Sequence, residues 1–191
     1  MAVHVDESVG LYRVTQERFL ALVDCGVLED EPVELVDGAL VEKVTELDRH
    51  AAGVVRLQRW LAPLWATERW DVRSSSTNVL PGSDSVVDPD IAVTRRDVPD
   101  GRAHGADFAA EVSVSTRRFD LGRKALVYAM AGLPELWVVD LGPSPRVVVH
   151  RDASPGGWLT VTVHTDGTLA PLALPVAPLD VAALLAGLPE R

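Results

Sequence analysis

Apolar positions along the chain follow two spacings, one typical of helices and the other typical of strands. Residues 48–65, DRHAAGVVRLQRWLAPLW, place apolar side chains three to four positions apart, which predicts a helix that Pro63 ends or kinks. Residues 33–44 form two apolar runs around Asp37 and Gly38, which predicts a hairpin with a two-residue turn. The same reasoning predicts the following further elements: a helix over 15–26 with Thr15 as its N-cap and Gly26 as its stop, strands over 70–80, 86–93 and 107–114, a loop over 95–106, a helix over 117–132, strands over 135–141, 146–151 and 157–164, and a helix over 178–188.

This order of elements predicts a mixed α/β (α+β) fold in which helices flank one central β-sheet. The 191 residues are enough for one domain with a sizeable core. We therefore expect a single domain over 1–191, with an N-terminal helical extension at 1–30 and a C-terminal tail and helix at 166–191. The pattern does not determine the order of the strands within the sheet.

Acidic residues outnumber basic ones, with 28 Asp and Glu against 18 Lys and Arg and a net charge of −10. This balance argues against a protein that coats nucleic acid, because contacts with phosphates need clustered cations. Two stretches are nevertheless locally basic, one at 95–102 and one formed by Arg117, Arg118, Arg123 and Lys124. Each of them is either a solvated face or the wall of a basic groove.

Several classes of protein are excluded. No apolar run reaches the roughly 18 residues of a membrane-spanning helix, and the start MAVHVDESVG lacks the basic and apolar regions of a signal peptide. Cys25 is the only cysteine, which excludes an intramolecular disulfide and agrees with a cytoplasmic location. The histidines lack the spacing of a zinc site, and no Gly-rich phosphate loop or Ser-His-Asp arrangement is recognisable.

Acidic residues interrupt two of the most apolar segments. In VVDPDIAV, residues 86–93, Asp88 and Asp90 would point to the same face of a buried strand, where unpaired carboxylates are costly. Glu111 lies in the strand predicted over 107–114, and Lys124 lies on the helix that follows. If the two strands are neighbours, Asp90 and Glu111 converge, and a divalent cation or a lysine would compensate their charge.

Each of these residues also has an ordinary structural interpretation. Asp88 either ligates a metal or simply caps or bends the strand before Pro89. Lys124 either reaches the acids or forms a surface ion pair with Asp120, four residues earlier on the same helix face. The tryptophans at 60, 65 and 137 are expected in the core rather than on a base-stacking surface.

Four stretches together resemble a known family. PVELVDGALVEK, VVDPDIAV, AAEVSVST and FDLGRKALVYAMAGLPELWVVD follow one another as in the Uma-two family of restriction-endonuclease-like proteins, within the PD-(D/E)XK nuclease superfamily. The resemblance covers roughly residues 10–165. It implies a restriction-endonuclease-like core and Mg²⁺- or Mn²⁺-dependent cleavage of DNA.

The resemblance also assigns roles to individual residues. Asp90 and Glu111 match the two metal-binding acids, and the backbone carbonyl of Val112 is expected to assist them. The superfamily's usual lysine position is Ser113 in this sequence, so the resemblance assigns the lysine role to Lys124 on the following helix.

Two further residues have alternative interpretations. Glu34 is either a third acid of the site or a residue on the rim of the predicted hairpin. His50 either hydrogen-bonds a metal-bound water or the phosphate, or is an ordinary histidine near a helix terminus.

The sequence therefore supports two hypotheses. The first is a metal-dependent endonuclease that acts on DNA, with a homodimer expected because many nucleases of this class act in pairs. The second is a catalytically inactive protein of the same fold that binds nucleic acid or regulates a partner. The endonuclease is the principal hypothesis, whereas the acidic charge and the lack of an obvious DNA-reading element are the features that support the alternative.

Overall fold

The computed structural model of the protein describes residues 10–43, 48–65, 70–95, 103–104, 106–172 and 178–189. The helices are α1 (Gln16–Asp24), α2 (Asp48–Trp65), α3 (Arg117–Phe119), α4 (Ala125–Met130) and α5 (Val181–Leu185), and a π-helix (Asp120–Lys124) joins α3 to α4. The strands are β1 (Val33–Val36), β2 (Ala39–Glu42), β3 (Trp70–Ser74), β4 (Asn78–Val79), β5 (Val86–Val87), β6 (Ile91–Arg95), β7 (Ala103–His104), β8 (Phe108–Ser113), β9 (Glu135–Asp140), β10 (Arg146–Ser154), β11 (Gly157–His164), β12 (Thr168–Leu169) and β13 (Leu179–Asp180).

Six strands form the central sheet, in the order β11-β10-β9-β8-β6-β3. β8 and β9 run parallel, and the other neighbours are antiparallel. Leu57 and Leu61 of α2 pack on one face, whereas Ala125 and Tyr128 of α4 pack on the other. The predicted fold class, a central mixed sheet flanked by helices, is confirmed.

A second sheet was not expected from the sequence. It has the order β2-β1-β5-β4-β7, and we call it the peripheral sheet. The segments predicted as strands over 70–80 and 86–93 each contribute one strand to the central sheet and one to the peripheral sheet. Ser75, with φ of +47°, lies at the first of these breaks, and Pro89, which has no N–H for a ladder, lies at the second.

The main core lies between α2 and the central sheet. Trp137 on β9 is fully buried, stacks on Trp60 of α2 with ring centroids 5.7 Å apart, and meets Phe108 edge to face at 5.3 Å. The expectation that the tryptophans at 60 and 137 serve the core agrees with this packing, while the side chain of residue 65 lies outside the described residues.

Several local predictions are confirmed. Asp37 and Gly38 both have positive φ, 48° and 75°, as a two-residue hairpin turn of the primed type requires. Thr15 caps α1 by accepting a hydrogen bond from the Arg18 N–H.

The helix predicted over 178–188 is shorter than expected. Only Val181–Leu185 is helical, and Leu179–Asp180 pairs as the strand β13.

Candidate functional site

The two acids of the segment 86–93 do not lie on one strand. β5 belongs to the peripheral sheet and β6 to the central sheet, so the three residues between them pass from one sheet to the other. The prediction that Asp88 and Asp90 point to the same face of a single strand is therefore wrong. The two sheets meet at this crossing, and the candidate site lies there.

Asp90 immediately precedes β6, and its carboxylate turns toward β8. Its Oδ2 accepts a hydrogen bond from the Val112 N–H at 2.6 Å and lies 3.1 Å from the His50 Nε2. β6 and β8 are adjacent, with Ile91 opposite Ala110. The pairing of strands that the sequence left open thus places Asp90 beside the residue that follows Ala110, which is Glu111.

His50 lies in the first turn of α2, which brings its ring over the loop before β6. Its side chain is about one-fifth exposed, and that of Asp90 slightly less. His50 therefore joins the site through Asp90, a contact that neither interpretation of the sequence included.

Glu111 is buried, and two donors hold the same oxygen of its carboxylate. Oε1 lies 2.9 Å from the Lys124 Nζ and accepts a hydrogen bond from the Tyr128 hydroxyl at 2.8 Å. Lys124 is also buried, with only 6% of its surface exposed. The interpretation of Lys124 as a surface ion pair with Asp120 is therefore wrong, because the ammonium points into the site.

Glu34 joins the peripheral sheet to this cluster. It is buried on β1, and its Oε1 accepts hydrogen bonds from the Asp88 N–H at 2.9 Å and from the Lys124 Nζ at 3.1 Å. Lys124 therefore bridges a carboxylate of one sheet and a carboxylate of the other. Glu34 is part of the cluster rather than a residue on the rim of the hairpin.

Burial and neighbouring charges shift the ionisation of the cluster. Burial raises the pKa of Glu111 well above its usual range, and although Lys124 opposes this, Asp90 and Glu34 add to it. Burial lowers the pKa of Lys124, but the carboxylates of Glu111 and Glu34 outweigh burial, so the net direction is upward. Lys124 therefore stays charged. Glu111 remains its partner in either state, as a carboxylate in an ion pair or as a neutral carboxyl group in a hydrogen bond.

An irregular helix delivers Lys124 to the site. Over Asp120–Lys124 the backbone forms a π-helix, in which the Ala125 N–H donates to the Asp120 carbonyl five residues earlier. Asp120 is also buried, accepts a hydrogen bond from the Thr116 hydroxyl at 2.5 Å, and has a pKa raised chiefly by burial. Single π-turns of this kind occur frequently at functional sites, where they reorient side chains.

These side chains surround a cavity of about 210 Å³. Its charged lining residues are Glu34, Glu42, Lys43, Asp88, Asp90, Glu111, Asp120 and Lys124. Carboxylates outnumber ammonium groups in this lining. Asp88 itself pairs with Lys43 toward the exposed side, so it is a weaker candidate for a metal ligand than Asp90.

The donor set fits a hard divalent cation. Within the described ranges, no three His, Cys, Asp or Glu side chains are grouped to hold a metal by themselves. Mg²⁺ commonly takes only one or two carboxylates, together with carbonyl oxygens and waters. Asp90 and Glu111 line one cavity, and the Val112 carbonyl faces the Asp90 side because the N–H and C=O of a strand residue point toward the same neighbour.

Two residues of the cluster were missed by sequence reasoning. The hydrophobic pattern of 117–132 places Tyr128 among the inward-facing residues of the predicted helix without indicating a role for its hydroxyl, and it indicates Asp120 only as an ion-pair partner of Lys124. Asp120, Lys124 and Tyr128 are spaced four residues apart, and this i, i+4 spacing is the signal that places all three on one helix face.

We call this cavity the acidic cavity. Of the four basic residues at 117, 118, 123 and 124, which the structure describes, only Lys124 lines it. Arg117 lies 2.8 Å from the buried Asp140, and Arg123 pairs with Asp37. Most of the stretch 95–102 lies outside the described residues.

Among the helices that the structure describes, none is long and apolar enough to span a membrane.

Comparisons with known proteins identify the family of this chain and a similar fold. Residues 16–182 match the model of the Uma2 family, whose description reads "Putative restriction endonuclease". The fold is similar to a solved structure described as "a putative nuclease belonging to DUF820 from Anabaena variabilis ATCC 29413". That likeness has a TM-score of 0.70 at 17% sequence identity and covers 91% of this chain and 98% of the other. No curated protein matches the chain.

Proposed function

This chain belongs to the Uma2 family, and we propose that it is an endonuclease that hydrolyses DNA phosphodiester bonds with Mg²⁺ or Mn²⁺. Family membership and the nuclease-like fold support a nuclease in general. The observation that carries the more specific proposal is the convergence of Asp90, Glu111 and Lys124 on one cavity.

Asp90, Glu111 and the Val112 carbonyl would hold the metal, which when bound supplies Lewis acidity and lowers the pKa of a water. The surrounding residues keep these ligands in place. His50 and the Val112 N–H hold the Asp90 carboxylate, and Tyr128 and Lys124 hold one oxygen of Glu111. Such supporting contacts fix the orientation of metal ligands.

Lys124 has a second role in this proposal. Its ammonium is fixed between Glu34 and Glu111 at the wall of the cavity. From that position it orients the attacking water or offsets negative charge that develops on the phosphate. Glu34 contributes by holding the ammonium in place and by keeping it protonated.

Nicking of supercoiled plasmid tests the proposal. The purified protein is incubated with Mg²⁺, Mn²⁺ or EDTA, in parallel with Glu111→Gln and with the matched control Glu17→Gln, which changes an exposed glutamate on α1. We expect metal-dependent nicking by the wild type and by Glu17→Gln, and at least a 100-fold loss in Glu111→Gln. Nicking that survives in Glu111→Gln would show that the site assignment is wrong.

The net charge of −10 favours a second candidate function. In that alternative the protein binds nucleic acid through the same fold without cutting it, as a regulatory or accessory module. Replacing Asp90 by Asn would then leave DNA affinity unchanged or higher, because one negative charge is removed, and wild-type protein would not nick DNA with either metal.

We also propose a homodimer, and the edge of the central sheet supports it. β11 is an edge strand of eight residues without a charged side chain, and Leu159, Val161 and Val163 on it are more than half exposed. Soluble proteins usually protect such edges with charges. Sedimentation of the wild type should show a dimer, and Val161→Lys should shift it to a folded monomer.

A further inference from the structure

A second concavity adjoins the acidic cavity. We call it the outer groove. It has a volume of about 520 Å³ and shares the side chains of Val41 and Phe119 with the acidic cavity. Val36 in its floor is two residues along β1 from Glu34, which corresponds to about 7 Å of strand. A linear polymer that is bound in the acidic cavity can therefore extend into the outer groove.

The outer groove is built from segments that are distant in sequence. The stretch before α1 crosses the turn of the β1–β2 hairpin, where the Val14 N–H donates to the Gly38 carbonyl at 2.9 Å. A Cβ on Gly38 would lie 2.8 Å from the Cβ of Arg13, so this close crossing depends on glycine. Phe119 and Arg123 from the helical segment close the other side.

Aromatic and cationic side chains occur together in the outer groove. Tyr12 is 72% exposed, and the guanidinium of Arg18 lies 5.5 Å from its ring centroid. Arg13 and Arg123 both pair with one oxygen of Asp37, so two guanidiniums share a single carboxylate and one positive charge is in excess. The rim therefore attracts an anion, although the protein as a whole is acidic.

Exposed aromatic rings beside arginines are the usual surface for single-stranded nucleic acid, since bases stack on the rings and phosphates contact the cations. Bases paired inside a duplex do not present their faces to such a groove.

We propose that the outer groove binds an unpaired base of the DNA strand whose phosphate occupies the acidic cavity. The proposal rests on the proposed function and deepens it, because it names single-stranded or locally unpaired DNA as the preferred substrate. Tyr12 stacks on the base, and Arg13 and Arg123 contact the flanking phosphates.

Fluorescence anisotropy of labelled DNA tests this inference. The full-length protein in EDTA is titrated with a 12-nucleotide single strand, with the duplex of the same sequence, and with a strand in which the central nucleotides are abasic. Tyr12→Ala is compared with Leu172→Ala, which removes an exposed apolar side chain that lines neither the outer groove nor the β11 edge. Thermal unfolding of both variants checks that they remain folded.

We expect the single strand to bind at least tenfold more tightly than the duplex. Tyr12→Ala should weaken binding of the base-containing strand by about 5- to 100-fold, as expected when a stacking aromatic is removed. It should leave binding of the abasic strand unchanged, and Leu172→Ala should change the binding of neither strand.

Either of two results would overturn the inference: equal affinity of wild type for duplex and single strand, or unchanged affinity of Tyr12→Ala for the base-containing strand. Failure of the proposed function is distinguishable. If no plasmid or single strand is cut with metal but Tyr12→Ala still loses binding, base binding by the outer groove is supported and the nuclease proposal is refuted. If nicking occurs but Tyr12→Ala binds as tightly as the wild type, the nuclease proposal is supported and base binding by the outer groove is refuted.

Discussion

Replacing Lys124 by Met removes the ammonium that lies between two buried carboxylates. Methionine keeps a long unbranched side chain of similar length, so the change mainly deletes the charge. Glu34 and Glu111 then face each other in a buried site without the ammonium at 3.1 and 2.9 Å that compensated them. We expect the metal-free variant to be less stable than the wild type unless Glu34 or Glu111 takes up a proton in place of the lost ammonium charge.

The distances indicate the size of the effect. At 2.9 Å and an effective dielectric constant of about 20, the attraction between Lys124 and Glu111 is about 6 kcal/mol. Desolvation of the buried lysine offsets part of it, and removal of one partner from a buried ion pair typically costs about 3–5 kcal/mol. We therefore expect Lys124→Met to lower the free energy of unfolding by about 3–5 kcal/mol at pH 8.

The loss should depend on pH, with a definite sign. The pKa of Glu111 is raised in the folded protein, so its stabilising contribution is complete below the ordinary value of 4.5 and is lost as the pH rises through the folded value. Without Lys124 that pKa rises further, and Glu111 takes up a proton more readily. The penalty in Lys124→Met should therefore shrink as the pH falls from 8 to 5.

Urea unfolding in EDTA at pH 8 and pH 5 measures the effect. The control is Lys43→Met, which removes a lysine whose side chain is 36% exposed and paired with Asp88, and which should cost at most about 1 kcal/mol. Equal losses for the two variants at pH 8, or a Lys124→Met penalty that is the same at both pH values, would contradict the argument.

Three further perturbations test other parts of the site. Tyr128→Phe removes a donor to the buried carboxylate of Glu111 and should cost about 1–3 kcal/mol in urea unfolding, and a neutral result would mean that the hydroxyl does not hold that carboxylate. His50→Gln should misplace the Asp90 carboxylate and thereby reduce metal-dependent nicking by about 10- to 100-fold, and nicking should need a higher metal concentration. A metal titration identical to that of the wild type would exclude this role of His50. Gly38→Ala should lower stability by about 1–3 kcal/mol, because φ is +75° and a Cβ has no space, and a thermal unfolding midpoint equal to that of wild type would refute this.

Some features follow from residues that are close in sequence. Asp37 and Gly38 both tolerate positive φ, so the hairpin register follows from the turn alone. Thr15 starts α1 through a hydrogen bond three residues away. The helical stretch from 117 and the β10–β11 hairpin were likewise predictable, because their hydrophobic periodicity and turn residues are local signals.

Other features depend on which strands become neighbours. The apolar stretch 86–93 carries the pattern of one strand, yet it divides between two sheets, since Asp90 gains a hydrogen bond from the Val112 N–H and Asp88 donates its N–H to Glu34. Those partners lie 22 and 54 residues away, and no local pattern identifies them.

The candidate site shows the same division. The sequence by itself predicted Asp90 and Glu111 as site residues, because charged residues in apolar segments are costly without a partner, and the resemblance to a known family added the role of Lys124. Only the tertiary structure decided that Lys124 is buried between two sheets, that Tyr128 belongs to the cluster, and that Tyr12 and Arg123 meet in the outer groove. The physical reason is that burial and charge pairing depend on long-range packing, whereas turns and helix caps depend on neighbours along the chain.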